Sequence, residues 1–401
     1  MARGKKWLAL LLACGMALGV ASCAGNQTQA GANDPAIEGY QATITSSMQG
    51  ETIALLDGDI GHFAANYTKG CAKNYVEEDA TKEELMVDRF APKPAMIAWE
   101  NSRDGALYYT VRVGLKADLS DAESYLVSDT SIDIEYLFTA KHYYYQIYAH
   151  YENDEVVKSR IFDFYTANLP RTVYIEGVSN TRDIGGRFVQ NGKYQVKQGM
   201  VYRGAEVDNA WGKITDEGKR VMLYELGIKT DLDLRNNSEN SSTVSPLGPS
   251  VNYVAVGGKG APHYVSEEHG IDSKAYKEAL IKEIRAFANP DNYPIYLHCS
   301  LGRDRAGTLA YLISALIGVE EIDLYRDYEI SLFSVTGWAD AAQGVGQHDN
   351  LMNAIGNLNR YIKYYGNGSI ADNAEKFVKE LGITQEEVDA IRNILLEEVT
   401  A

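Results

Sequence analysis

The chain is poor in cysteine, in basic residues and in long apolar runs. Four of its 401 residues are cysteine, at positions 14, 23, 71 and 299. Thiols so few and so widely spaced exclude a disulfide framework. Lys and Arg number 38 against 55 Asp and Glu, a formal charge of −17. A surface this acidic disfavours nucleic acid and anionic membranes as general partners. The one strongly apolar run, "WLALLLACGMALGV" at 7–20, is short for a bilayer span, and no other stretch is long enough to cross one. The rest is ordinary: 45% hydrophobic and 23% charged residues mark a folded chain, and the length allows two or three domains.

Arg3, Lys5 and Lys6 precede the apolar run and small residues follow it, which reads as a signal peptide over 1–22. Its end, "VASCAG" (20–25), resembles a bacterial lipobox. The resemblance implies cleavage before Cys23, lipid on the Cys23 thiol, and an extracytoplasmic chain that meets the membrane only through that anchor. The alternative is an ordinary signal peptide with an incidental cysteine. The small, polar stretch to residue 37 reads as a flexible tether. Cys71 and Cys299 then remain. They either form one bond between the two halves or stay free, and the surroundings of Cys299 favour the second.

Residues 38–168 carry alternating patterns: "YYTVRVGL" (108–115), "SIDIEYLF" (131–138), "YYYQIYAHY" (143–151) and "SRIFDFYT" (159–166). Such strands with polar turns predict an antiparallel β-sandwich. Leu137 stands six residues before Tyr143, alternation continues through Tyr145, Ile147 and Ala149, and Trp99 lies upstream. This resembles the fibronectin type III pattern around its tyrosine corner. The stretch 48–85 fits it less well. The 28 tyrosines admit a sugar-binding face, but alternate tyrosines also fill a sandwich core.

From 169 to 401 strands alternate with helices. Residues 215–228 predict a helix with Thr215 or Asp216 as cap and Gly227 as stop, 229–234 and 251–256 strands, 274–288 an amphipathic helix, 294–299 a buried strand and 305–318 a buried helix. Three more helices fill 320–397. The alternation predicts an α/β domain with a central, largely parallel sheet.

The buried strand runs into "HCSLGRDRAGT" (298–308). A loop between a strand end and a helix N-terminus presents backbone N–H groups to a phosphate-sized anion. Helix N-termini and cations also favour the thiolate of a cysteine placed there, and a thiolate facing phosphate is a nucleophile. Ser300, Leu301, Gly302, Arg303, Asp304 and Arg305 would form the cradle, with the planar fork of Arg305 on two phosphate oxygens.

Cys299 and Arg305 match the His-Cys-x5-Arg signature of protein tyrosine phosphatases. With "VSNTRDIGG" (178–186), "GMVYRGAEVDN" (199–209), "LGIKTDLDLRNNSE" (226–239), "YRDYEIS" (325–331) and "LGITQEEVDAIRNILL" (381–396), the loop resembles bacterial members of the lipid-phosphatase-like group. The resemblance covers about 170 to 400. It implies a phosphatase fold, a phosphocysteine intermediate, no metal or other cofactor, and phosphorylated proteins or small molecules as substrates.

Two positions depart from that group. Arg303 replaces a usual lysine; it either reads a second anionic group on the substrate or points to solvent. Ala306 replaces a usual hydroxyl that helps the thiolate leave, and Thr308 is a poor substitute by helical geometry. The general acid is Asp233, at a strand end, or Asp304, inside the loop. His298 supports the loop by hydrogen bonding. Arg182 and Asp183 fix a turn or pair with each other, and Arg203 and Arg235 shape the pocket or make structural ion pairs. The expected activity is phosphomonoester hydrolysis. The rivals are a domain that binds phosphorylated ligands with little turnover, another thiolate chemistry such as arsenate reduction, and adhesion through the sandwich.

Overall fold

Strand β7, His142–His150, shows how the N-terminal pattern becomes structure. Tyr143, Tyr145, Ile147 and Ala149 are buried, and the residues between them are half-exposed. A strand whose successive side chains alternate in this way must lie between a core and solvent. The computed structural model describes residues 44–46, 48–75, 91–240, 242–265, 273–334 and 347–399. The leader, the lipobox cysteine, the tether and the first residues expected in the sandwich lie outside the described residues.

Two sheets share the N-terminal core. One has the order β1 (Ile44–Ser46), β3 (Ala95–Asn101), β6 (Ser131–Ile134) and is antiparallel. The other has the order β2 (Glu51–Ile53), β9 (Phe162–Thr166), β7, β4 (Tyr108–Gly114), β5 (Glu123–Val127), with β8 (Val156–Lys158) beside β7. Trp99 of the first sheet meets Tyr109 of the second edge-on at 5.2 Å. Tyr145 crosses the core to donate to Ser46 Oγ at 2.7 Å. The Phe138 N–H donates to the Tyr143 hydroxyl at 2.8 Å and closes the corner between β6 and β7.

The stretch that the strand pattern did not explain holds a helix. Asp57 caps α1 (Gly58–Ala65) by accepting the Gly58 N–H, and a short 3-10 turn follows at Cys71–Asn74. Leu56, Ile60, Phe63, Ala64, Cys71 and Ala72 belong to the core of the C-terminal half. Phe63 lies 5.0 Å from Phe333. Glu329 accepts from the Tyr67 hydroxyl and from the backbone N–H groups of Gly70 (2.8 Å) and Ala72 (3.3 Å).

The main C-terminal sheet has the order β10 (Arg182–Asp183), β13 (Val201–Gly204), β18 (Ile295–His298), β16 (Thr230–Asp233), β17 (Asn252–Ala255). β13, β18, β16 and β17 are mutually parallel, and β10 is an antiparallel edge. All four residues of β18 are fully buried, as a central parallel strand covered on both faces must be. Thr215 caps α2 (Asp216–Arg220), which runs on as a π-helical turn over Val221–Glu225 to Gly227 at φ +64°. Helix α3 (Lys274–Ala288) has the bounds its periodicity predicts, and α4 (Asp304–Leu316) follows β18 through the cysteine loop. Among the described residues four helices follow: α5 (Glu321–Glu329), α6 (Gln347–Lys363), α7 (Ile370–Glu380) and α8 (Gln385–Leu395). Ser369 with Asp372, and Thr384 with Glu387, close capping boxes on α7 and α8.

Smaller strands complete the architecture. β11 (Phe188–Val189), β12 (Tyr194–Val196) and β19 (Leu396–Glu398) form an antiparallel sheet, and β14 (Asp208–Asn209) pairs with β15 (Gly212–Lys213). β19 continues α8 where the sequence pattern predicted only more helix.

The two halves meet through buried polar contacts. Arg171 donates to the carbonyls of Tyr136 (2.6 Å) and Leu137 (3.0 Å) on the sandwich side. On the other side it pairs with Asp183 at 2.9 Å and reaches the Tyr202 hydroxyl at 3.1 Å. The Gln198 amide exchanges hydrogen bonds with the Thr139 backbone, and Lys141 donates to Gln195 and Glu397, each at 2.7 Å.

Candidate active site

The loop after β18 is held by its carbonyls. Ser300 O accepts the Glu206 N–H at 3.1 Å. Leu301 O accepts Asn180 Nδ2 at 2.9 Å. Arg203 donates to Gly302 O (2.7 Å) and Arg303 O (3.1 Å). In a planar trans peptide the C=O and the following N–H point to opposite sides. Four successive carbonyls drawn outward therefore turn the next four N–H groups toward the inside of the loop, at the N-terminus of α4. This is an anion-binding nest. Gly302 makes the turn at φ +69°, and a Cβ there would sit 2.3 Å from the Gly204 backbone.

Each clamp has its own support. Asn180 takes left-handed backbone (φ +60°), which asparagine tolerates, and its side-chain oxygen accepts from Arg182 at 2.6 Å. Arg203 is pinned by Asp327 at 2.6 Å, and Arg182 (3.2 Å) and Arg187 (3.0 Å) meet the same carboxylate. Burial pushes the Asp327 carboxyl up, but the three guanidiniums outweigh it and hold it well below the usual range. Burial, with Arg203 beside it, pushes Arg182 down to about 9. Arg182 and Asp183, expected as a possible pair, do not meet: Arg182 goes to Asp327 and Asp183 to Arg171. Adjacent residues on a strand point to opposite faces, so they have different partners.

Cys299 is buried and free, as is Cys71. Arg305 lies beside it, but its fork is not open. Its two terminal nitrogens grip the Glu239 carboxylate at 2.6 and 2.7 Å, and Ser300 Oγ donates to the same carboxylate at 3.0 Å. Arg305 holds the Glu239 carboxyl down to about 2. Arg305 Nε is buried and makes no hydrogen bond within the described residues. The geometry that the sequence assigned to two phosphate oxygens is thus occupied by Glu239, and the Nε–H is the donor left over.

Both expected general acids are hydrogen-bond acceptors in this arrangement. Asp233 takes Arg235 through its backbone N–H (2.9 Å), Nε (2.9 Å) and a terminal nitrogen (2.7 Å). It also accepts from Asn240 and the Tyr253 hydroxyl, each at 2.8 Å. Burial raises its pKa, but His298 and Arg235 outweigh that and hold it far below normal. Arg235 also binds Glu206 (3.0 Å) and Asp208 (2.8 Å), so it is an ion-pair hub. Asp304 accepts from the Tyr264 hydroxyl, from Tyr328 (3.2 Å) and from Arg303 Nε (2.9 Å). Burial is again outweighed, here by Arg303, and the Asp304 pKa is lowered. Arg303 folds back onto Asp304, and its side chain is 15% exposed.

His298 is fully buried at the end of β18, with β13 on one side and β16 on the other. Its Nε2 lies 3.0 Å from Asp231 Oδ1, an ion-pair distance off the hydrogen-bond direction. Burial opposes its charge, but Asp233 and Asp231 raise its pKa. The support it gives the loop is therefore electrostatic, apart from a long 3.4 Å contact of Nδ1 with Cys299 O. Ala306 is fully buried, and the Thr308 hydroxyl is committed to His263 O at 2.5 Å. On α3, Glu283 is 1% exposed with Oε1 unpartnered; burial pushes its carboxyl up to about 8, with Arg305 opposing.

Asn180, Glu206, Glu239, Tyr264, Asp327 and Tyr328 were not singled out from sequence. Asn180, Glu206, Glu239, Asp327 and Tyr328 lie within motifs quoted above, which was the available signal. No group of three or more potential metal ligands occurs among the described residues.

The "Putative tyrosine-protein phosphatase" of Cupriavidus necator is 27% identical over 168 residues, which are 38% of this chain and 59% of that protein. The chain thus spans less than two thirds of that relative. The tyrosine-protein phosphatase of Nostoc commune is 23% identical over 220 residues, 45% of this chain and 70% of the relative. The solved core catalytic domain of the PP-IP phosphatase SIW14 from S. cerevisiae, in complex with citrate, aligns over 38% of this chain and 78% of that one, at 16% identity and a TM-score of 0.24. The model of the tyrosine phosphatase family matches residues 173–397, more than half of the chain, and the chain belongs to that family.

Proposed function

We propose that the chain hydrolyses phosphomonoesters through a phosphocysteine. The Cys299 sulfur attacks phosphorus, an S–P bond forms, and the P–O bond to the leaving group breaks as that oxygen takes a proton. Water then attacks the phosphocysteine, the P–S bond breaks, and inorganic phosphate leaves. The loop N–H groups and Arg305 Nε–H hold the transferred group, and Glu239 fixes the plane of Arg305. The observation that carries this reading is the outward anchoring of four successive loop carbonyls beside a buried, free cysteine. Phosphotyrosine, phosphoinositides and inositol phosphates are the candidate substrates, and the reading assigns the chain to the lipid-phosphatase-like group.

The reading extends to the whole chain. We propose a lipoprotein signal peptide over 1–22, a lipid anchor at Cys23 with a tether to 37, a fibronectin type III-like module within 38–168, less the segment 56–72 that packs into the core of the other half, and the phosphatase over 169–401. The Phe138–Tyr143 corner and the two-sheet core support the module. Lipidation would hold the enzyme outside the cytoplasm.

A second reading draws on Ala306. It brings no hydroxyl to the loop, and that of Thr308 is spent elsewhere, so the second step would be slow and the domain would retain phosphorylated ligands. One experiment separates the two: phosphate release by the purified chain from phosphotyrosine peptides, phosphoinositides and inositol phosphates, with Cys299→Ser beside it. Multiple turnovers that vanish in the variant support the hydrolase. A stoichiometric burst followed by a stall supports the slow second step. Turnover that survives in the variant refutes the cysteine mechanism.

A further inference from the structure

Two carboxylates are placed by sequence to protonate the leaving group, and both are committed elsewhere. Asp233 accepts from five donor groups and Asp304 is closed in by Arg303, Tyr264 and Tyr328. Glu239 is held by Arg305. Among the described residues, a proton donor is then a titratable side chain beside the loop whose ring or carboxyl is uncommitted. His263 meets that description. Ala261 and Val265 on either side of it are buried, and the Ala261 N–H donates to Leu234 O at 3.1 Å. The next residue, Tyr264, is bound to Asp304, and His263's own carbonyl takes the Thr308 hydroxyl at 2.5 Å. The backbone is thus fixed against the first turns of α4, while the His263 side chain is exposed. Its ring makes no hydrogen bond among the described residues. The charged groups that face it are Arg305, Asp304 and Arg303 from the loop and helix and Glu239 from beyond β16.

We propose that His263 is the general acid, giving its ring proton to the leaving oxygen as the P–O bond breaks. The neutral imidazole then takes a proton from the water that attacks the phosphocysteine, and the cycle closes without another reactant. This rests on the cysteine mechanism above. Although the side chain reaches solvent, desolvation by the protein around its base, with Arg305, lowers the His263 pKa in the free enzyme. A bound phosphate dianion opposes that and restores the proton.

The test uses the full chain and two substrates with one phosphate and different leaving groups: 4-nitrophenyl phosphate, whose oxygen needs little protonation, and phenyl phosphate, whose oxygen needs more. The quantity is kcat/KM, which reports P–O cleavage and is blind to a slow second step. His263→Gln is expected to lose about 100-fold on phenyl phosphate, the lower end of general-acid contributions, and at most a few-fold on the nitrophenyl ester. The alkaline fall of kcat/KM on phenyl phosphate should flatten in the variant. Equal losses on both substrates, or an unchanged alkaline limb, overturn the proposal. So does the same leaving-group-dependent loss in Asp304→Asn with His263→Gln unaffected. Cys299→Ser separates the two readings: if it keeps turnover, the cysteine mechanism has failed, and if it loses turnover while His263→Gln behaves as wild type, only the histidine has.

Discussion

Glu283→Gln gives a stability prediction with a worked magnitude. Glu283 is buried on α3 with an unpartnered oxygen, and its carboxyl stays protonated to about pH 8. In the unfolded chain it ionises near 4.5. The folded pKa is raised, so the favourable contribution is complete below 4.5 and is lost as pH rises to about 8. At about 1.4 kcal/mol per pH unit the full loss is about 5 kcal/mol by pH 9, and about 3 kcal/mol at pH 7. Glutamine keeps the shape and does not titrate. Its amide brings a buried donor of its own, a cost of about 1–3 kcal/mol that is the same at every pH. Glu283→Gln is therefore expected to be less stable than wild type at pH 4 and more stable at pH 9, with the curves crossing between. Chemical denaturation at pH 4, 5, 6, 7, 8 and 9 reads this directly. Parallel curves across that range would refute a buried, neutral carboxyl at 283.

Two further outcomes follow from the same geometry. Gly302→Ala places a Cβ 2.3 Å from the Gly204 backbone at a left-handed φ, so the loop cannot close; kcat/KM should fall at least about 100-fold. A melting temperature and activity both like wild type would contradict the loop described. Arg171→Leu strips the buried Asp183 of its cation and costs about 3–5 kcal/mol, seen as earlier unfolding in denaturant. An unchanged midpoint would mean that the two halves do not depend on this contact.

Local pattern made some elements legible. Helix α3 has both ends where its apolar period starts and stops, and the buried run before Cys299 is the central strand. The C-terminal strand β19 was not legible, because its partner β12 lies some two hundred residues away and nothing local distinguishes it from more helix. Cys299 and Arg305 were legible as a spaced pair in one loop. Their supports were not: Glu239 and Asn180 reach the loop directly and Asp327 through Arg203, from other segments, and no spacing rule relates them to it. The sequence offered Asp233 as an acid because of its place at a strand end, with a structural pairing to Arg235 as the alternative, and Arg235, two residues on, does fold back onto it.

The clasp of Glu329 by residues 67–72 bears on how such chains are recombined. Glu329 ends the helix that carries Asp327, Asp327 holds Arg203, and Arg203 holds two carbonyls of the cysteine loop. Phe63 from the same N-terminal segment covers Phe333. The family-matched portion is therefore not a portable cassette. Grafted behind a different partner, it would leave an apolar face bare and an acidic side chain without its donors, one helix away from the Cys299 loop. A shuffled exchange of either half would have to carry residues 54–75 with the second.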